Sequence, residues 1–257
     1  MTALQAILAD AAPIDGGFRA TIPTDWLQGR TAYGGLSSAL ALHAAQTSEP
    51  DLPPLRSAMV NFVGPLAGDV TVTATKLRRG RNAAFIQSDI VSDSGLGYRA
   101  TFVFMNAIES QIARDERPRG PIPPPAPDAK LYVGPAQFFT GNFEFLDTKD
   151  GLGPAEWLRW ARLRERDGID PMVEVMALAD GLPPAALKLL GKMPAPISSL
   201  TWQVNLLTPT PVTTDGWWLL SAETHFAANG CSSQTMRMWN ADGELVAEGM
   251  QSVALFV

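Results

Sequence analysis

Cysteine is nearly absent from this chain. Cys231 is the only one in 257 residues, so no intrachain disulfide can form, and a reducing, cytoplasmic setting is expected. Histidine is almost as scarce. His43 and His225 are the only two, which excludes a histidine-rich metal site, and nothing has zinc-finger spacing. Basic runs are missing and the formal net charge is −6, which argues against a nucleic-acid partner. No apolar run approaches the ~20 residues needed to cross a membrane. The N-terminal MTALQAILADAAPIDGG lacks the basic start and long apolar stretch of a signal peptide. The nucleophile-elbow pattern GxSxG is absent, so a serine mechanism of the α/β-hydrolase type has no support. Charged residues make up only 18% and apolar residues 46%, a balance that argues against disorder and allows a substantial core.

Proline and charge are concentrated near the middle. Residues 114–128, RDERPRGPIPPPAPD, cannot make a helix or a central strand. They divide the chain into a first half, 1–113, a linker extending to residue 130, and a second half, 131–257. The first half begins with short strand-like pieces around Phe18–Ile22. Leu36, Ala39, Leu40 and His43 then recur with helical period, which predicts an amphipathic helix. Asp69–Thr75 alternates with strand period, and further strands are expected near 57–63, 83–91 and 98–105. The second half repeats this order. FFTGNFEFL (138–146) reads as strand. EWLRWARLRE (156–165) fits either strand or helix, and its position favours strand. Asp170-Pro171 is a helix start, with Met172, Val175, Met176 and Ala179 as its apolar stripe. Four strand-like runs follow, near 199–207, 217–226, 234–240 and 246–256. Asn61 and Pro65 correspond to Asn205 and Pro209, and Asp69 to Asp215. These and similar pairs lie 144 to 148 residues apart, a near-constant offset that points to duplication. Each half thus reads as strand, strand, helix and four strands, an α+β unit whose exposed sheet edge is closed by pairing with its copy.

YGGLSSALALHAA in the first half resembles the first hotdog helix of the acyl-CoA thioesterase II family. MALAD, ISSLTWQVNLLTP and the terminal VAEGMQSVALF resemble that family's second hotdog. The likeness runs through nearly the whole chain. It implies a double hotdog fold, hydrolysis of an acyl-CoA to free acid and CoA, and no metal or organic cofactor. It also implies a water-binding group formed by a helix-end aspartate, a hydroxyl on the next strand and a glutamine near the C-terminus. By motif position these are Asp180, Ser199 and Gln251. The family more often has threonine at the position of Ser199 and aspartate two residues later, where this chain has Thr201, so two hydroxyls compete for the role. A homodimer of such double hotdogs is compatible with the family.

Each candidate also has a plainer reading. Asp180 is either a partly desolvated base at the edge of the apolar stripe or a solvated aspartate before Gly181, badly placed at a helix C-terminus. Strict alternation sets Ser199, Thr201, Gln203 and Asn205 on one face of their strand, which lines a hydrated site or simply meets solvent. Gln251 shares a face with Val253 and Leu255, and if buried it needs partners. Tyr33-Gly34-Gly35 opens the first helix, where its free N–H groups suit a thioester oxygen; the glycines equally suit close packing. Arg78, Arg79 and Arg81, with Lys76, are either a contact for CoA phosphates or a charged hairpin. His43 is a core histidine or part of a vestigial second site. A hotdog hydratase or dehydratase and a non-catalytic acyl-CoA or acyl-lipid binder are the competing functions.

Overall fold

The computed structural model describes residues 1–191, 193 and 195–257. A short helix α1 (Leu4–Ala9) precedes β1 (Ala12–Ile14) and β2 (Gly17–Ile22). A two-residue pair, β3 (Leu27–Gln28) and β4 (Thr31–Ala32), leads into helix α2 (Gly34–Thr47). Strands β5 (Leu55–Phe62), β6 (Gly68–Arg79), β7 (Ala83–Ser92) and β8 (Gly95–Met105) follow. Later come β9 (Phe143–Thr148), β10 (Glu156–Leu163) and helix α3 (Pro171–Ala179). The chain ends with β11 (Ile197–Leu206), β12 (Trp218–Ala228), β13 (Cys231–Asn240) and β14 (Leu245–Leu255). The ambiguous segment at 156–165 is strand. Of FFTGNFEFL only the second part is strand, because Phe139–Asn142 forms a 3-10 turn.

Among the described residues, twelve strands make one antiparallel sheet in the order β1-β2-β6-β7-β8-β5-β11-β14-β13-β12-β10-β9. Read outward from the β5–β11 junction, the two sides have the same succession of strands. At the junction Met59 faces Gln203, Asn61 faces Thr201 and Ser57 faces Asn205. Asn61 and Asn205 therefore exchange places about a local twofold axis. This is a double hotdog, two helices wrapped by one continuous sheet.

Helix α3 begins as its sequence dictates. The Asp170 carboxylate accepts hydrogen bonds from the Met172 and Val173 N–H groups at 2.9 and 3.1 Å, a cap worth ~1 kcal/mol. Pro171 occupies the first turn, where no donor is lost. Helix α2 departs from the expected stripe. It is buried on nearly every side, Ser37 and Ser38 included, and His43 is among its few partly exposed residues. The sheet covers one side of α2 and α3 covers another, and its small Gly, Ala and Ser residues permit both approaches. The helices run antiparallel. At one end Gln46 Nε2 donates to Asp170 Oδ1 at 3.2 Å; at the other, Asp180 abuts Gly34.

The proline-rich segment contributes no inner strand. It is tied to the end of β13 and the β13–β14 turn: Trp239 Nε1 donates to the Pro118 carbonyl at 2.9 Å, and Gly120 N–H donates to the Gly243 carbonyl at 2.9 Å. Ile122 and Leu131 cover a secondary apolar cluster of Leu158, Trp160, Trp217, Leu219, Trp239 and Leu245. Among the described residues no helix is long and apolar enough to cross a membrane.

Candidate active site

A cleft of about 960 Å³ opens where the N-terminus of α2 meets the C-terminus of α3. Its walls are the β3–β4 hairpin, the loop after β5, the β7–β8 turn and the start of β11. Gly34, Phe62, Tyr98, Asp180 and Ser199 line it.

Asp180 caps the end of α3. Gln251 Nε2 donates to its Oδ1 at 2.8 Å, and its Oδ2 lies against the Cα of Gly34. Desolvation pushes the Asp180 carboxyl up to about 7, with the Gln251 hydrogen bond pulling the other way. That value suits a base working near neutral pH. Gln251 is buried and supports the carboxylate from behind, without itself lining the cleft.

The expected face of β11 is corrected by a bulge. Ser199 pairs with Val253 and Thr201 with Ser252, so Leu200 is an extra residue that shifts the alternation. Ser199 is left on the inner side, on the cleft wall. Thr201 turns outward with Gln203 and Asn205, and all three are exposed. Trp202 and Val204 fill the core beneath.

The Tyr33-Gly34-Gly35 group divides in a similar way. Tyr33 is not in the cleft. Its ring stacks on Phe139 at 4.2 Å, and its hydroxyl donates to the Ala177 carbonyl at 2.8 Å. Gly35 is a packing glycine whose missing Cβ makes room for that same carbonyl and for the Tyr33 ring. Gly34 borders the cleft. Among the described residues the Gly34 and Gly35 N–H groups meet no protein acceptor, as expected of a helix start. Beneath them the Tyr98 hydroxyl donates to Ser38 Oγ at 3.0 Å, and Ser38 Oγ donates to the Gly34 carbonyl at 2.9 Å.

Arg78, Arg79 and Arg81 lie at the far end of β6 and beyond, away from the cleft, which borders the strand's other end at Leu66 and Ala67. Arg79 Nη2 donates there to the Asp51 carbonyl at 2.8 Å and Lys76 pairs with Glu49 at 2.8 Å, so this group reads as a charged hairpin. The arginine on the cleft wall is Arg30, exposed on the β3–β4 hairpin. Neither histidine lines the cleft. His43 packs edge-on against Phe18 at 5.8 Å, with its pKa lowered by burial. His225 is exposed near Glu223, at 3.7 Å.

Sequence reasoning missed Gln234. It is fully buried on β13, opposite Gln251 in the register, and its Nε2 donates to Gln251 Oε1 at 2.8 Å. The available signal was a glutamine flanked at i−2 and i+2 by Ser232 and Met236 on an inward face.

Two family models match this architecture in chain order. The acyl-CoA thioesterase N-terminal domain matches residues 22–105, and the acyl-CoA thioesterase C-terminal domain matches residues 114–255. The chain belongs to the acyl-CoA thioesterase family. A search of curated proteins gives no match. Among solved structures, the thioesterase is similar to a hotdog-fold protein from Alicyclobacillus acidocaldarius, with 22% identity and a TM-score of 0.82 over 100% of this chain and 99% of that one. It is also similar to a TesB protein of Mycobacterium avium subsp. paratuberculosis, with 20% identity and a TM-score of 0.78 over 99% of each chain. A third is an acyl-CoA thioesterase II, TesB2, of Mycobacterium marinum, with 17% identity and a TM-score of 0.76 over 99% and 97%. At these identities the likeness is one of fold. The thioesterase is a thioester hydrolase by family, and acyl-CoA is the substrate that the family implies.

Substitution separates the two hydroxyls. Ser199→Ala is expected to lower kcat by about tenfold or more, the order of one hydrogen bond made in the transition state. Thr201→Ala, on the outer face, is expected to leave kcat within about twofold. Steady-state thiol release by the two variants checks this, and the reverse pattern would overturn the bulge-based choice.

Proposed function

We propose that the cleft hydrolyses an acyl-CoA by direct attack of water, with Asp180 as general base. Supporting this is the Asp180 carboxylate itself. It is desolvated, braced by Gln251 on Oδ1 and, among the described residues, without a hydrogen-bond partner on Oδ2, beside a glycine at a helix start. A water held by Asp180 Oδ2 and the Ser199 hydroxyl gives its proton to Asp180 as its oxygen bonds to the thioester carbon. The carbonyl oxygen becomes an oxyanion beside the Gly34 N–H and the positive end of α2. The intermediate collapses by breaking the carbon–sulfur bond. The sulfur leaves with the proton held by Asp180, giving free acid and CoA.

The halves differ in a way that supports a single site. The N-terminus of α3 is capped by its own Asp170 carboxylate, whereas that of α2 has no side-chain cap among the described residues. The repeats are assigned to 1–113 and 131–257, with 114–130 as the connection. Two such chains pairing as a homodimer fit this reading.

The test is a panel of acyl-CoAs of varied chain length and branching, followed by free-thiol detection. Hydrolysis releases thiol. Hydration of an unsaturated acyl group leaves the thioester intact, and a binding protein changes neither. Thiol release that is lost in Asp180→Asn supports the reading; a panel with no thiol release overturns it.

A further inference from the structure

We propose that Gln234 is a positioning residue: it fixes which end of the Gln251 amide faces Asp180. The inference rests on the function proposed above and goes one step behind the reacting groups. A primary amide has a donor end and an acceptor end of nearly the same shape. If Gln251 presented its oxygen to Asp180, two acceptors would meet and the ionised carboxylate would be disfavoured. Something must therefore hold the amide in one sense.

The chain of contacts supplies that constraint. The Ala185 N–H donates to Gln234 Oε1 at 2.9 Å. A backbone N–H can only donate, so the Gln234 oxygen must face it. Gln234 Nε2 is then aimed at Gln251 Oε1, 2.8 Å away, which leaves Gln251 Nε2 to donate to Asp180 at 2.8 Å. The polarity of the row is set at its far end by an atom that cannot change role. Ala185 is itself held in place. It opens the 3-10 segment Ala185–Leu190 directly after Pro183 and Pro184. Lys188 anchors that segment by donating from Nζ to the Glu156 carbonyl at 2.6 Å.

The other half of the sheet shows that the fold does not require this pair. Across the second half, Trp202, Gln251 and Gln234 lie side by side on β11, β14 and β13. The corresponding row in the first half is Ala58, Phe102 and Ile86 on β5, β8 and β7, and Phe102 and Ile86 are fully buried. The same location is filled by hydrocarbon where there is no carboxylate to brace. Burying two amides is costly unless each is satisfied, so their presence only on the Asp180 side points to the site.

The test reads Asp180 directly. Among the described residues, the other titratable groups facing it are Tyr33 and Tyr98, both buried phenols raised above their ordinary value. Arg30 and Asp93 stand on the cleft wall and Glu174 on the same helix. None of them is altered in the variants. In Gln234→Leu, Gln251 loses its director. In Gln234→Met the side-chain length is kept more closely, no charge is added, and the same director is lost. Carbon-13 NMR titration of the Asp180 carboxyl is expected to show its pKa raised by about one unit or more in both variants, a tenfold or larger change in its ionisation equilibrium. The acidic limb of the kcat profile for thiol release should move to higher pH by the same amount, with activity recovered on the alkaline side. A purely structural role predicts instead an unchanged Asp180 titration and one constant loss at every pH, which would overturn the proposal. Failure of both variants to fold would likewise assign Gln234 to the core. If Asp180 titrates higher while kcat does not follow it, the positioning inference stands and the assignment of Asp180 as base falls.

Discussion

Asp180→Asn is expected to lower kcat by ~10²-fold or more and, at the same time, to stabilise the protein above neutral pH. The amide keeps the shape of the carboxyl and can still accept the Gln251 hydrogen bond, but it cannot take a proton from water. The stability effect follows from burial. The Asp180 carboxyl rises from 3.8 to about 7 in the folded protein, so the folded state holds a proton that the unfolded chain has already lost. The contribution of Asp180 to stability therefore falls as pH rises from about 4 to about 7, and is constant beyond. Three units at ~1.4 kcal/mol each set an upper bound of ~4 kcal/mol on that loss. The variant escapes it. Urea denaturation at pH 8 should find Asp180→Asn the more stable protein, and at pH 4 the two should nearly coincide. A variant no more stable at pH 8 than the wild type would show that Asp180 is already ionised at little cost, and with that the argument for a base poised near neutrality is lost.

Gly34→Ala and Gly35→Ala are expected to fail in different ways, although the two residues are adjacent. At Gly34 an added Cβ would lie 2.5 Å from Asp180 Oδ2 and 2.7 Å from Phe62 Cε1. Both obstructing atoms are side-chain tips, which can move, so the fold should survive with a melting temperature only a few degrees lower. The displaced carboxylate should cost on the order of a hundredfold in kcat, because misplacement by about 1 Å has effects of that size. At Gly35 the Cβ meets the Ala177 carbonyl of the neighbouring helix and the stacked Tyr33 ring. A backbone atom in a packed pair of helices has nowhere to go. Overpacking of this kind costs ~1–3 kcal/mol or more, and Gly35→Ala should show it as a clear drop in thermal midpoint. Parallel melting curves and thiol-release rates separate the two. Equal stability with equal activity in both variants would remove the role given to this helix start.

The order of elements was legible in the chain, because helical and strand periods are local properties. Asp170-Pro171 states its cap in two adjacent residues, and the near-constant offset between Asn61 and Asn205 shows up as an exchange of places across the central junction. Asp180 at a helix end and Gln251 on an apolar face were singled out by the resemblance to the acyl-CoA thioesterase II family, the residues alone leaving each reading open. Tertiary structure alone decided the rest. The bulge at Leu200 arises from how β11 pairs with β14, and strict alternation cannot register an extra residue, so Ser199 and Thr201 looked equivalent until the strands were paired. The Arg78–Arg81 group is a cluster in sequence, but its distance from the cleft is set by the length of β6. Tyr33, Gly34 and Gly35 are consecutive, yet a helix start turns each toward a different neighbour: an aromatic stack, the cleft and the second helix. Gln234 carries no local signal of its role. Its meaning lies in Gln251 across the ladder and in the Ala185 N–H beyond, and hydrogen-bond polarity of that kind exists only once separate segments have been brought together.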